Sequence, residues 1–154
     1  MAFPGTIYLP RTERDAFANR AKGSFPVERE DFMLGRVEKR HLTVYHIVPT
    51  LPEHVVSADE CGVELTQVAA QRAQDLAGRL DMQVVGSIHS HPYKRIRPCG
   101  LQLSGADYKE FANSENVVLG VLEIVPDKSA VTSFKAWWSF WTKDKSLPMR
   151  IKLT

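Results

Sequence analysis

The stretch Gly86-Ser-Ile-His-Ser-His-Pro92 closes an apolar run that begins at Met82. Val84, Val85 and Ile88 are available for a core, so Met82–His89 reads as a strand. His89 and His91 stand at i and i+2 at its end. Side chains at that spacing leave a strand on one face. Two imidazoles can therefore converge on one metal ion, and a third protein ligand plus an open position would complete a catalytic zinc site. Asp107, at the start of the next helix, is the candidate third ligand.

Working outward, Val63–Leu80 reads as a helix, because Leu65, Val68, Ala69, Ala73, Leu76 and Leu80 recur at helical spacing. On the other side, Tyr93–Leu103 carries Pro98, Gly100 and several basic residues and reads as a loop. Ser104–Asn113 follows as a helix. Val117–Val125 is an almost continuous apolar strand of the kind covered on both faces of a sheet. Val131–Thr142 alternates, with Phe134, Ala136, Trp138 and Phe140 on one face, and reads as the last long strand. Upstream, Ile7–Leu9 is a short strand. Thr12 and Asp15 form a capping-box pattern that opens a helix to about Lys22, with Ala16, Phe17 and Ala21 inward. Phe32–Val37 and Leu42–Val48 read as a hairpin turned through Glu38–His41, and Leu51–Gly62 as a loop. Three helices and about six strands make a mixed α/β domain.

Composition bounds the function. The chain of 154 residues has 44% hydrophobic and 25% charged residues, which fits a single globular domain over residues 1–154. Lys+Arg 20 against Asp+Glu 18 lacks the basic excess of a nucleic-acid binder. The longest apolar run, Val117–Val125, contains Glu123 and falls well short of the ~20 residues a membrane span needs. The N-terminal residues lack the pattern of a secretory signal. Cys61 and Cys99 form no CxxC pair, which fits a reducing cytoplasm. The expectation is a cytoplasmic protein without nucleic-acid or membrane partners.

Taken together, PVEREDFMLG, then GSIHSHP, then LSGAD resemble the JAMM (MPN+ or JAB) metalloprotease family. Its signature of an upstream Glu, His-x-His-Pro and Ser-x-x-Asp falls on Glu28, His89, His91, Pro92, Ser104 and Asp107. Pro26 and Gly35 match residues that often flank the family's Glu. Two departures are visible. Fifteen residues, Pro92–Ala106, separate His91 from Asp107, a longer spacing than the family's usual one, and Asp31 stands where a Gly is common.

The resemblance implies a three-layer α/β fold like that of cytidine deaminases, with a curved mixed sheet flanked by helices. It also implies one catalytic Zn2+ on His89, His91 and Asp107, with Glu28 as general base. Zinc in such a site lowers the pKa of a bound water toward ~7. Glu28 would accept the water's proton and pass it to the leaving amine. Ser104 would stabilise the oxyanion or orient the water. The implied reaction is hydrolysis after the C-terminal tail of a ubiquitin-like protein, by a stand-alone prokaryotic type of enzyme that either acts alone or needs a protein partner or a second copy of itself. A non-catalytic scaffold of the same fold, or a zinc hydrolase for an unrelated peptide or small amide, are the alternatives. Lys94, Arg95 and Arg97 are either a solvated loop or contacts to an acidic substrate surface. His41, His46 and His54 read as ordinary surface or half-buried residues, and Cys99 as a loop thiol. Trp137, Trp138 and Trp141 read as core packing or a docking patch.

Overall fold

The computed structural model describes residues 3–92, 105–127, 133–144 and 147–154. The elements in chain order are β1 (Thr6–Leu9), α1 (Arg11–Ser24), β2 (Glu30–Val37), β3 (His41–Val48), β4 (Val55–Ala58), β5 (Val63–Leu65), α2 (Gln67–Arg79), β6 (Gln83–Pro92), α3 (Gly105–Ala112), β7 (Val118–Pro126), β8 (Phe134–Trp141) and β9 (Arg150–Leu153). Seven strands form one mixed sheet in the order β8-β7-β6-β2-β3-β1-β9, and β4 and β5 form a separate hairpin. The β1–β3, β1–β9 and β6–β7 pairs are parallel, and the β2–β3, β2–β6 and β7–β8 pairs antiparallel. The sheet curls until its ends approach: Met149, just before β9, donates its backbone N–H to Phe140 O of β8 at 2.7 Å.

Alternation along the strands divides the core between the two faces. Met33, Leu42, Val44, Ile88, Leu122 and Phe140 join Phe17 and Ala21 of α1 in one cluster. Leu34 and Val48 face the other way, onto Ala73 and Ala77 of α2. Leu119 and Val121 meet Phe111 of α3 together with Trp141. Helix α1 therefore covers one face of the sheet and α2 the other, which is the expected three-layer α/β arrangement. Phe17 is fully buried, and truncating an aromatic there to Ala would cost about 3–5 kcal/mol.

Several expected boundaries move. The predicted helix over Val63–Leu80 begins only at Gln67, where the Thr66 side chain accepts from Ala69 N–H as N-cap. Val63–Leu65 is strand β5, paired with β4 inside what reads as a loop. Val68, expected in the core, is exposed. Helix α1 is entered from Pro10 without a side-chain cap, and Asp15 pairs with Arg14 rather than closing a box. The helix start is instead fixed by the β1–β9 edge, where Arg11 N–H donates to Thr154 O. Strand β6 runs on to Pro92, and β9 is an unanticipated strand. Trp138 packs against the main core and Trp141 is buried.

Candidate metal centre

Strand β6 lies between β2 and β7, with His89 opposite Glu30 on one side and Val121 on the other. Its last residues therefore emerge at the middle of the sheet. The two imidazoles share a face, and their Nε2 atoms are 2.9 Å apart. Helix α3 brings in Asp107 from its first turn. Its Oδ2 lies 3.0 Å from His91 Nε2 and 3.4 Å from His89 Nε2. Glu28 comes from the segment just before β2. It offers a carboxylate oxygen that lies, with one nitrogen of each histidine, in a group whose atoms are all within 4.8 Å of one another. Glu28 and His89 are buried and His91 is half-buried.

These positions are fixed through the backbone. Ser90, fully buried between the histidines, donates its N–H to Arg29 O at 2.9 Å and accepts from Arg29 N–H on Oγ at 2.9 Å. Glu28 N–H donates to Asp59 O at 2.8 Å, in the β4–β5 turn. The segment carrying Glu28 is thus tied on one side to the strand of the histidines and on the other to the hairpin.

The donor set fits zinc. In a tetrahedron with bonds of 2.0–2.1 Å, donor atoms are about 3.3 Å apart. The separations of 2.9, 3.0 and 3.4 Å among the two Nε2 atoms and Asp107 Oδ2 lie close to that edge. The electrostatics also suit a cation. Burial pushes the Glu28 carboxyl up, His89 and His91 oppose this, and Asp107 and Asp59 raise it further. For His91, burial pulls the imidazole down. Asp107, as hydrogen-bond acceptor and as charge, outweighs it together with Glu28 and Glu123, so the net shift is upward. A positive charge at this point relieves both groups.

Of the residues anticipated from sequence, the fold brings Glu28, His89, His91 and Asp107 together. Ser104, Lys94, Arg95, Arg97 and Cys99 lie outside the described residues. Two neighbouring hollows were not anticipated. A groove of about 260 Å³ runs beside Glu28, lined by Val27, Thr50, Val55, Val63 and Leu65. A smaller cavity of about 80 Å³ lies on the other side, among Glu30, Ser87, His89, Asp107, Glu110 and Phe111. Burial lifts the Glu30 carboxyl to about 7. A hydrogen bond with Ser87 opposes the rise, and Glu110, Asp31 and Asp107 add to it. The period-2 pattern of Glu28 and Glu30 is the sequence signal that could have found the second carboxylate.

The overall architecture has solved counterparts. The solution structure of protein DSY2949 from Desulfitobacterium hafniense superposes with a TM-score of 0.66 at 18% identity, covering 96% of this chain and 92% of that one. The crystal structure of AF2198, a JAB1/MPN domain protein from Archaeoglobus fulgidus, matches with a TM-score of 0.50 at 16% identity, over 99% of this chain and 100% of that one. The fold is that of a JAB1/MPN domain. No protein-family model matches the sequence, and no curated protein matches it either. Among the described residues of this JAB1/MPN fold, no helix is long and apolar enough to cross a membrane.

Proposed function

We propose that the chain is a zinc metallopeptidase that hydrolyses the peptide or isopeptide bond after the C-terminal tail of a ubiquitin-like protein in a reducing cytoplasm. The observation that carries this reading is the convergence of Glu28 on His89, His91 and Asp107, two neutral-nitrogen donors and a carboxylate with a second carboxylate beside them. His89, His91 and Asp107 would hold the ion, which when bound supplies Lewis acidity and lowers the pKa of water toward ~7. Glu28 would take the proton of the attacking water and return it to the departing amine. Its upward-shifted carboxyl suits both halves of that transfer. Ser104 is assigned to the oxyanion. An extended tail would lie in the groove that Glu28 lines together with Val27, Val55, Val63 and Leu65. Its hairpin wall has strand edges that can pair with a peptide backbone.

The deciding experiment compares wild type with Glu28→Gln on fusions of ubiquitin-like proteins and on unrelated peptides, with zinc measured in parallel. The variant should keep its zinc and lose several orders of magnitude in kcat. Near-normal turnover would refute the assignment of the base. Cleavage of unrelated peptides alone would refute the substrate class and leave the chemistry standing.

A further inference from the structure

Asp31 is a fully buried carboxylate behind the candidate site. It accepts from Arg20 Nε on α1 at 2.9 Å and from Arg29 Nε at 3.1 Å, both on Oδ2. Its Oδ1 accepts from Thr50 N–H at 2.8 Å and lies 3.1 Å from Arg29 Nη2. Arg29 also donates to Thr50 O at 3.3 Å, and the Thr50 hydroxyl donates to Glu30 O at 2.8 Å. One carboxylate thus joins α1, the residues after β3 and the start of β2.

An enclosed ion pair of this kind is weak evidence for stability, because desolvation offsets most of the attraction. Its geometry says more. Arg29 is held twice: its side chain is gripped by Asp31 through two nitrogens, and its backbone is bonded in both directions to Ser90, between the two histidines. Glu28 is the next residue. In extended chain, Arg29 and Asp31 share one side, and Glu28 takes the other, toward the histidines. Fixing the Arg29 side chain from behind therefore fixes the peptide that carries Glu28 in front. A bidentate guanidinium–carboxylate pair is directional enough to do this.

We infer that Asp31 is a positioning residue, which acts through Arg29 to hold the Glu28 carboxylate at the His89–His91 pair. The inference rests on the proposed role of Glu28, but part of its test does not. Asp31→Asn, in the full chain, is compared with Arg20→Met, which removes the other guanidinium from the same carboxylate without touching Arg29. Amide hydrogen exchange is read first, since it needs neither metal nor substrate. In Asp31→Asn the Glu28 and Arg29 amides should exchange at least about tenfold faster than global destabilisation explains. In Arg20→Met they should follow global stability. Zinc content and KM should stay at wild-type values in Asp31→Asn while kcat falls about 10–100-fold, the scale of loss when a supporting residue is removed. In a Glu28→Gln background, Asp31→Asn should add no further loss in single-turnover rate. An equal loss in both backgrounds, or unchanged exchange at Glu28 and Arg29, would overturn the inference. Should Asp31→Asn not fold, Arg29→Lys replaces it. That variant keeps the charge but loses the two-pronged grip, and the same exchange and kcat outcomes apply. Accelerated exchange in a protein that cleaves no substrate, even as wild type, would uphold the positioning role and refute the peptidase reading.

Discussion

Replacing Glu30 by Gln should stabilise the zinc-free protein, and most at neutral to alkaline pH. Glu30 opens β2 opposite His89, with its carboxyl in the small cavity and hydrogen-bonded to Ser87. Its folded-state pKa of about 7 stands above the ordinary 4.5. Between those values the folded state binds a proton that the unfolded state has released, so stability falls as pH rises through this window. At about 1.4 kcal/mol per pH unit, the full interval amounts to about 3 kcal/mol at pH 8, and about 1 kcal/mol has been lost by pH 5. Gln keeps the length of the side chain and an acceptor for the Ser87 hydroxyl, while removing the charge. In chelator, urea or thermal unfolding at pH 8 should show Glu30→Gln more stable by up to about 3 kcal/mol, a Tm gain of ~6–12 °C for a domain of this size. The gain should shrink by about two-thirds at pH 5. Saturating zinc should narrow it at pH 8 as well, because a nearby cation favours the ionised carboxylate. An equal gain at both pH values, or none at pH 8, would show that burial does not govern this carboxyl.

Three further outcomes are expected. His89→Ala or Asp107→Ala should lose zinc by metal analysis while remaining folded by circular dichroism, since the cores of the domain lie elsewhere; full zinc occupancy in both would refute the ligand set. Gly86→Ala should lower stability by ~3 kcal/mol or more in urea unfolding, because a Cβ there would lie 1.8 Å from Val118 O in the adjoining parallel strand, and no rotamer relieves a backbone clash. Replacing Lys94, Arg95 and Arg97 together with Ala should raise KM without changing zinc content, and the effect should fade with salt as screening shortens to ~8 Å at physiological ionic strength; a KM and salt dependence equal to wild type would place recognition elsewhere.

The elements legible in the sequence were those whose pattern is set locally. Strand β7 reads as buried on both faces because its side chains are apolar almost without interruption, and both clusters claim it: Leu122 and Ile124 for one face, Leu119 and Val121 for the other. Strand β5 was missed because Leu65 satisfies two periods at once. It alternates with Val63 and Glu64, and it also falls in helical step with Ala69, Ala73 and Leu76. Thr66 was the distinguishing signal, a capping residue at the true start of α2. Strand β9 has four residues, and its place beside β1 is decided by a partner nearly the whole chain away. Local pattern carries little information about such a pairing.

The site divides in the same way. Imidazoles at i and i+2 on a strand can share a metal but are weak evidence for one by themselves; the fold adds Asp107 beside them despite the long spacing. Glu28 is different. It stands in a run of four charged residues, Glu28 to Asp31, and such a run ordinarily marks a solvated edge. What makes it otherwise is the sheet's having both faces covered here. Glu28 lies with the histidines and Glu30 lines the cavity beside His89, while Arg29 pairs with Asp31 and Asp31 reaches Arg20 of α1, so none of the four is left exposed. The partners that complete the pattern, Arg20, Thr50 and Ser90, come from three other parts of the chain. Asp31 thus looks, in sequence, like a departure at a position where a small residue is common. In the fold, it pairs with two guanidiniums and ties down the peptide next to Glu28.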